Sequence, residues 1–241
     1  MKSLKTPLQK CLQLFIVPGA IVMLLSSCLK DHNNNYNPPV AYLSFVQAST
    51  DEPPLKFFLN SDLVNTWAPL QYGDHIDYFR AYTGLRTANF DNAYTGGQLL
   101  SDTMTLRQNV YYSLFLANTA AHPQALLLTD TLNQPASGSA SVRFVNLSPD
   151  AGAVDLQAKA ANTTTVANKS FLGHSGFITV TAGGSYNLQV NTAGTSTALA
   201  SLANVNLSAG GVYTIWLFGL KNSTTAADNL AIGVMTNALF Y

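Results

Sequence analysis

The stretch Ser141-Val-Arg-Phe-Val-Asn-Leu-Ser-Pro-Asp150 is a near-copy of one that begins 99 residues earlier, Tyr42-Leu-Ser-Phe-Val-Gln-Ala-Ser-Thr-Asp51. In both stretches Phe-Val is followed after two residues by Ser, and after one more residue by Asp. The first half of each alternates apolar and polar side chains, as a β-strand does, and the second half carries turn residues. The pair predicts a fold that occurs twice in the chain, each copy opening with a strand and a turn.

Later features recur in the same order and at nearly the same distance. The matches are Gly73 with Gly173, Gly84 with Gly184, and the apolar run 110–116 with the run 212–218. The offset grows from 99 to 100 to 102 residues, which is typical of small loop insertions between two copies. Copies of about 100 residues, built from short strands and turns, predict an all-β chain: two tandem immunoglobulin-like antiparallel β-sandwich domains of seven strands each.

The N-terminal residues have the pattern of a bacterial export signal. Lys2, Lys5 and Lys10 precede an apolar stretch that ends at Leu25-Ser-Ser-Cys28. The stretch is short for a membrane span, and its end resembles a lipobox, in which the cysteine becomes lipidated. We therefore predict lipidation of Cys28, whose acyl chains would anchor the protein in a membrane. The predicted domains are a lipoprotein signal peptide at 1–27, the lipidated cysteine and a flexible tether at 28–40, β-sandwich repeat 1 at 41–130, a linker at 131–140, and β-sandwich repeat 2 at 141–241.

The residues that follow the cysteine bear on location. Leu29-Lys-Asp-His32 resembles the export signal of surface lipoproteins in Bacteroidetes-type bacteria. We expect an outer-membrane, lipid-anchored protein that faces the cell surface, with the periplasmic leaflet as the alternative. The formal net charge of zero gives no basic footprint for nucleic acid, so that class of partner is excluded.

The string Val142-Arg-Phe-Val-Asn-Leu-Ser-Pro-Asp-Ala-Gly-Ala-Val-Asp155 resembles the signature of a bacterial family called domain of unknown function 4397. The first copy keeps Ser49 and Asp51 of that signature but has Thr50 in place of proline. The resemblance covers both halves of residues 41–241. It implies an extracellular, sometimes lipid-anchored domain, and it implies no activity, since none is assigned to the family.

The turn motif is expected to be structural. Its residues are Ser49, Asp51, Ser148, Pro149 and Asp150. Serine and aspartate side chains accept hydrogen bonds from backbone amides in turns, and proline presets φ. The alternative is a calcium or sugar ligand made by Asp150 together with Asp155. Calcium takes about six to eight oxygen ligands, and only two acids lie in this region.

Signals for catalysis and metal binding are weak. Gly173-His-Ser-Gly176 has part of a serine-hydrolase elbow, but that motif requires glycine where Phe177 stands. The four histidines are scattered singly, without the spacing of metal ligands. We predict a protein that is not an enzyme and that has no catalytic residue, metal or cofactor.

The aromatic residues offer the better functional hypothesis. Low charge and abundant Asn and Thr suit contact with carbohydrate, on which exposed aromatic rings can stack. The candidates on the surface of the first copy are Trp67, Tyr72, Tyr78 and Tyr82. We expect a binding or display module at the outer membrane surface, with a glycan or an envelope protein as partner. The alternative is a structural spacer of the envelope without a specific ligand.

Overall fold

The computed structural model describes residues 37–159 and 164–241. The predicted signal peptide, the lipidation site at Cys28 and most of the predicted tether lie outside these ranges. Within them, no helix is both long and apolar enough to cross a membrane.

The first repeat contains two four-stranded sheets. Its eight strands are β1 (Val40–Gln47), β2 (Leu55–Leu59), β3 (Asp62–Leu63), β4 (His75–Tyr82), β5 (Gly84–Asn92), β6 (Gln98–Leu106), β7 (Tyr111–Ala117) and β8 (Gln124–Asp130). One sheet has the order β4-β1-β7-β8 and is called inner sheet 1. The other has the order β3-β2-β5-β6 and covers one face of the first.

The second repeat has the same plan. Its strands are β9 (Ser139–Asn146), β10 (Val154–Lys159), β11 (Thr164–Lys169), β12 (Ile178–Thr181), β13 (Ser185–Thr192), β14 (Ala198–Asn206), β15 (Gly211–Phe218) and β16 (Ala231–Leu239). The order β12-β9-β15-β16 forms inner sheet 2, and β11-β10-β13-β14 forms the outer sheet. The strand order of one repeat thus reproduces that of the other.

The predicted tandem β-sandwich is confirmed, with two differences in detail. Each repeat has eight strands rather than seven, because short edge strands complete the outer sheets. Each inner sheet also contains one parallel pair, β1 with β7 and β9 with β15. The chain leaves each inner sheet after its first strand, returns antiparallel to it as β4 or β12, and leaves again before β7 or β15 enters on the other side of the first strand in the same direction.

Alternate residues of the opening strands enter different cores. Phe45 packs with Phe57 and Phe90 inside the first sandwich, with ring centroids 4.8 and 5.2 Å away. Its neighbour Val46 points to the opposite face, into a separate cluster that also contains Val145. Both faces of β1 and β9 are therefore covered, as in buried strands generally.

This separate cluster joins the two inner sheets. It contains Phe115, Trp216, Leu128 and Met235, all buried, together with residues of both opening strands. Burial of a large apolar side chain contributes about 1.5–3 kcal/mol, so the cluster is a substantial core. The two sandwiches accordingly lie within one compact unit, Pro39–Tyr241, in which the inner sheets face each other.

Candidate binding cleft between the repeats

A belt of polar side chains crosses the apolar core between the inner sheets. At its centre Arg143 on β9 forms an ion pair with Asp130 at the end of β8. The Arg143 residue is 3% exposed, so the pair is removed from water. The other members of this polar belt are Tyr78 and Ser113 from repeat 1, and Thr214 and Asn237 from repeat 2.

Hydrogen bonds close the belt into a network. The Tyr78 hydroxyl donates to Asp130 Oδ2 at 2.5 Å, and Ser113 Oγ donates to the same oxygen at 2.7 Å. The Asn237 amide donates to Tyr78 Oη at 2.8 Å and accepts from Thr214 Oγ1 at 2.6 Å. Burial, and then the negative charge of Asp130, raise the pKa of Tyr78, so this phenol stays protonated and acts as a donor.

One nitrogen of Arg143 has no partner in the network. Its Nη2 donates to Ser113 Oγ at 3.0 Å and to Thr214 Oγ1 at 2.9 Å, while Nη1 binds Asp130. Its guanidinium carbon lies 4.7 Å from the centre of the Phe177 ring, a cation–π distance. The Nε–H has no acceptor among the residues that the structure describes. A buried donor without an acceptor costs about 1–3 kcal/mol.

The strand registers relate residues of the two repeats. His75 lies opposite Val46 and His174 opposite Val145; Phe79 lies opposite Leu43 and Ile178 opposite Val142. Tyr78 therefore corresponds to Phe177, and Ser44 corresponds to Arg143. At the interface a surface of one copy packs on the equivalent surface of the other. The two sides of the interface differ because Tyr78 is replaced by Phe177 and Ser44 is replaced by Arg143.

On the side of His75 and Tyr78, called the closed side, contacts between side chains of the two repeats close the interface. The His75 ring lies 6.1 Å from the Trp216 ring in an edge arrangement. The Tyr78 hydroxyl bonds to the Asn237 amide, which ties β4 to β16. The small side chain of Ser44 is compatible with this close approach of β4 to β16.

On the other side the interface opens into a cleft. Arg143 stands against Phe177, and a space of about 520 Å³ remains between the end of β8, the linker and residues 174–177. The cleft is called the junction cleft here. The side chains that matter for its chemistry are Asn133, Gln134, Arg143, His174, Ser175 and Phe177.

The junction cleft offers mainly hydrogen-bond donors. Ser175 Oγ already accepts the Phe144 N–H at 3.0 Å, which leaves the hydroxyl proton for another acceptor. His174 Nδ1 lies 3.3 Å from the Ser175 carbonyl oxygen, so the bond through this nitrogen requires a donor there. The exposed amides of Asn133 and Gln134 add both donors and acceptors. The lining residues include no carboxylate.

The structure does not gather the four predicted aromatic residues into one site. Trp67 and Tyr82 are on the surface, 99% and 56% exposed. Tyr72 and Tyr78 are partly buried against the second repeat: Tyr72 packs edge-on to Phe218 at 5.1 Å, and Tyr78 belongs to the polar belt. Their expected position on a free surface was wrong, because the packing of one repeat on the other covers this part of β4 and the preceding loop.

Tyr82 lines a second, smaller cleft at the edge of the first sandwich. This space of about 310 Å³ lies between β4 and the β2–β3 edge, with Ile76 and Phe79 among its apolar side chains. Arg86 lies at the same cleft, where Nε donates to the Tyr82 carbonyl at 2.9 Å. No other aromatic candidate from the sequence lines it.

The turn motif makes structural contacts in both copies. Asp150 accepts the backbone N–H groups of Lys221 and Asn222 at 2.7 and 3.1 Å and the Ser148 hydroxyl at 3.3 Å, next to Pro149. The carboxylate therefore joins the first turn of repeat 2 to the loop after β15. Ser49 donates to Glu52 at 3.4 Å, and Asp51 has a positive φ of 59°.

Asp155 does not join Asp150 in a ligand site. Its two oxygens accept the backbone N–H groups of Asn168 at 2.7 Å and Gly194 at 2.9 Å. Across the described part of the chain, no three His, Cys, Asp or Glu residues are grouped so that they could hold a metal ion.

Arg143 and Phe177 were not predicted as site residues, and His174 and Ser175 were considered only for hydrolysis. Arg143 lies between Val142 and Phe144, at the polar position of the alternation where the first copy has Ser44. The charge at that position was the available signal. The charge at position 143 bears on the contact between the repeats only if that face of β9 packs on the other repeat. The alternation of side chains along one strand does not specify which face does so.

The fold and the cleft define a tandem β-sandwich protein with an open cleft between its two repeats. The family model described as Domain of unknown function (DUF4397) matches residues 41–157. Residues 41–157 are therefore similar to this family, which confirms the predicted resemblance over that range; the match does not extend over residues 158–241. The matched range runs from β1 into β10 and so includes Asp130, the linker and Arg143.

Comparison with solved structures gives distant likenesses. A family 26 carbohydrate-binding module from Eubacterium rectale, in complex with maltoheptaose, is 8% identical, with a TM-score of 0.27 over 83% of this chain and 97% of that chain. A structure of family 41 carbohydrate-binding modules from streptococcal virulence factors, described for α-glucan recognition, is 11% identical, with a TM-score of 0.22 over 81% of this chain and 96% of that chain. TM-scores this low do not establish a shared fold. No curated protein matches the chain.

Proposed function

We propose that this protein is a non-catalytic binding module that is displayed on the bacterial outer membrane by a lipid at Cys28 and that binds a glycan in the junction cleft. The observation that carries the proposal is the buried Arg143, whose Nε–H lacks an acceptor and which lines an open cleft beside an aromatic ring. Because Nε is buried in this structure, a ligand oxygen would satisfy that donor once the side chains that cover it move aside.

The size and lining of the cleft suit a sugar. Small-molecule sites commonly occupy about 300–1,000 Å³, with an apolar surface and a few placed polar groups. Here Phe177 supplies the apolar surface, and Asn133, Gln134 and Ser175 supply groups that can bond to hydroxyls. A sugar ring presents C–H groups on its faces and hydroxyls around its edge, which matches this combination.

The arrangement of His174 and Ser175 argues against hydrolysis. A nucleophilic serine needs a base within hydrogen-bond reach of its Oγ. Here the His174 ring contacts the Ser175 backbone carbonyl, and Ser175 Oγ is bound to the Phe144 N–H. Most glycoside hydrolases use a pair of carboxyl groups, and the cleft lining has none.

A spacer without a ligand is the second candidate. It is favoured by the apolar core and the Arg143–Asp130 pair between the repeats, which give the two sandwiches a fixed mutual packing. A rigid two-domain unit is suited to holding another component at a distance from the membrane.

The test is a glycan-binding screen on the full-length protein, followed by titration calorimetry with variants of exposed cleft residues. We expect His174→Ala and Asn133→Ala each to weaken binding about fivefold, the value of roughly one hydrogen bond. His122→Ala, an exposed histidine that does not line the cleft, is the control and should bind as the wild type does. Absence of binding to any glycan would favour the spacer. Binding that both cleft variants leave unchanged would place the ligand elsewhere.

The lipid anchor is tested separately with Cys28→Ser. We expect this variant to leave the membrane fraction, because no acyl chain can attach at position 28. Retention in the membrane at the wild-type level would contradict the proposed lipidation.

A further inference from the structure

The residues that line the junction cleft indicate the charge of the ligand that fits it. We propose that it selects a glycan that bears a carboxylate, such as a uronic acid residue, and that the carboxylate binds beside Arg143 and His174. This inference rests on the proposed function of the same cleft. It concerns which sugars enter, not whether sugars bind.

The first support is the balance of donors and acceptors. The Arg143 side chain can donate hydrogen bonds but cannot accept them, and its Nε–H has no acceptor among the described residues. Ser175 retains its hydroxyl proton, because its oxygen already accepts the Phe144 N–H. An ionised carboxylate is acceptor-only and has two oxygens, so one oxygen can take the Ser175 proton while the other faces the guanidinium of Arg143, whose Nε is buried at the edge of the cleft. A neutral hydroxyl brings a proton of its own that requires a further acceptor.

The second support is the distribution of charge. Arg143 and His174 line the cleft, whereas no aspartate or glutamate does. The nearby Asp130 carboxylate is turned to the belt, where Arg143, Tyr78 and Ser113 occupy its oxygens. A ligand carboxylate would therefore meet no acid on the cleft surface, and it would share the Arg143 charge with Asp130, which does not line the cleft. Hydrogen bonds in which both partners are charged are roughly twice as strong as neutral ones.

The third support is the comparison between the two sides of the interface. On the closed side Trp216 occupies the space beside His75, and Asn237 bonds to Tyr78. On the open side His174 corresponds to His75, and Phe177 corresponds to Tyr78. Arg143 lies at the position that corresponds to Ser44 of the closed side. The open side thus differs by the addition of a cation, and its His174 lines the cleft, whereas His75 packs against Trp216.

The experiment compares three oligosaccharides of the same length by titration calorimetry on the full-length protein. These are an oligogalacturonate, its fully methyl-esterified form and the neutral galactose oligomer. We expect the oligogalacturonate to bind about tenfold more tightly than its ester, the value of one charge-assisted bond. The ester has the same ring stereochemistry and lacks only the charge, so the difference reports the carboxylate.

Two variants assign that preference to the cleft. His174→Glu places an acid on the cleft surface and should weaken the uronate at least tenfold while changing binding of the ester much less. His122→Glu, outside the cleft, adds the same charge to the protein and should leave the preference intact. Equal affinities for uronate and ester would overturn this inference and leave the proposed glycan binding standing. If none of the three oligosaccharides binds and the glycan screen is also negative, the proposed function itself fails.

Discussion

Arg143 is the residue on which the junction of the two repeats depends. It lies in a strand whose central residues are buried, and Asp130 is its only ion-pair partner among the described residues. The sequence places a charged residue where the first copy has Ser44, but the partner 13 positions away is brought to Arg143 only by the packing of β8 against repeat 2. The contacts of Asp150 with residues 221 and 222 were likewise beyond prediction, because they join segments 71 and 72 positions apart.

The buried pair gives the first prediction. Asp130→Asn leaves the Arg143 charge buried without a counter-charge, which should lower the free energy of unfolding by about 3–5 kcal/mol. Urea denaturation followed by circular dichroism measures the loss. Asp77→Asn removes a solvent-exposed carboxylate and should change stability by less than about 0.5 kcal/mol. Equal stability of the two variants would show that the pair is not a structural requirement.

Asp228 gives a prediction about pH. It is 9% exposed, and burial, followed by the charge and hydrogen bond of Asp51, raises its pKa. The folded state therefore holds this proton more tightly than the unfolded state does. Its contribution to stability is most favourable below the ordinary aspartate pKa of about 4 and declines as the pH rises through the raised folded-state pKa.

Asp228→Asn should remove that decline. We expect the variant to be more stable than the wild type at neutral pH, and the difference between them to shrink as the pH falls towards about 4. Urea unfolding at a series of pH values measures both effects. Asp102→Asn, at an exposed position on β6, should follow the wild-type pH profile. A constant difference between Asp228→Asn and the wild type at every pH would contradict the assignment.

The strands β7 and β15 explain why parts of the fold were predictable. Both appear in the sequence as continuous apolar runs, and both are central in an inner sheet with cores on either face. The alternation on β13 likewise predicted a strand with one buried face, as the structure has it. The parallel pairing of β1 with β7 was not predicted, because a strand's side-chain pattern is the same whichever direction its neighbour runs.

A close packing between neighbouring strands gives a third prediction. Gly233 on β16 is paired with Trp216 on β15, and a Cβ at position 233 would overlap the indole ring. Gly233→Ala should therefore destabilise the protein by about 1–3 kcal/mol, the usual cost of overpacking a core. Thermal unfolding measures the change. Gly176→Ala, where a Cβ would meet nothing within 4 Å, is the control. No difference between the two variants would show that the indole moves freely aside.

The whole molecule is a duplication whose two copies pack on each other through equivalent sheets. The sequence indicated the two copies by their regular offset, and it indicated the composition of each sandwich core. It did not indicate that the copies share a third core, because a single repeat cannot specify what covers the second face of its inner sheet. The cleft exists only in the packed pair, at the position where Arg143 replaces the equivalent of Ser44.

The central claim is that the ligand occupies this cleft between the repeats. Hydrogen–deuterium exchange of the full-length protein, with and without the tightest-binding glycan from the screen, tests it directly. The account predicts slower exchange in residues 131–136 and 174–177, which line the cleft from its two sides. Protection confined to the surface around Trp67 or Tyr82, with no change in those two segments, would contradict it.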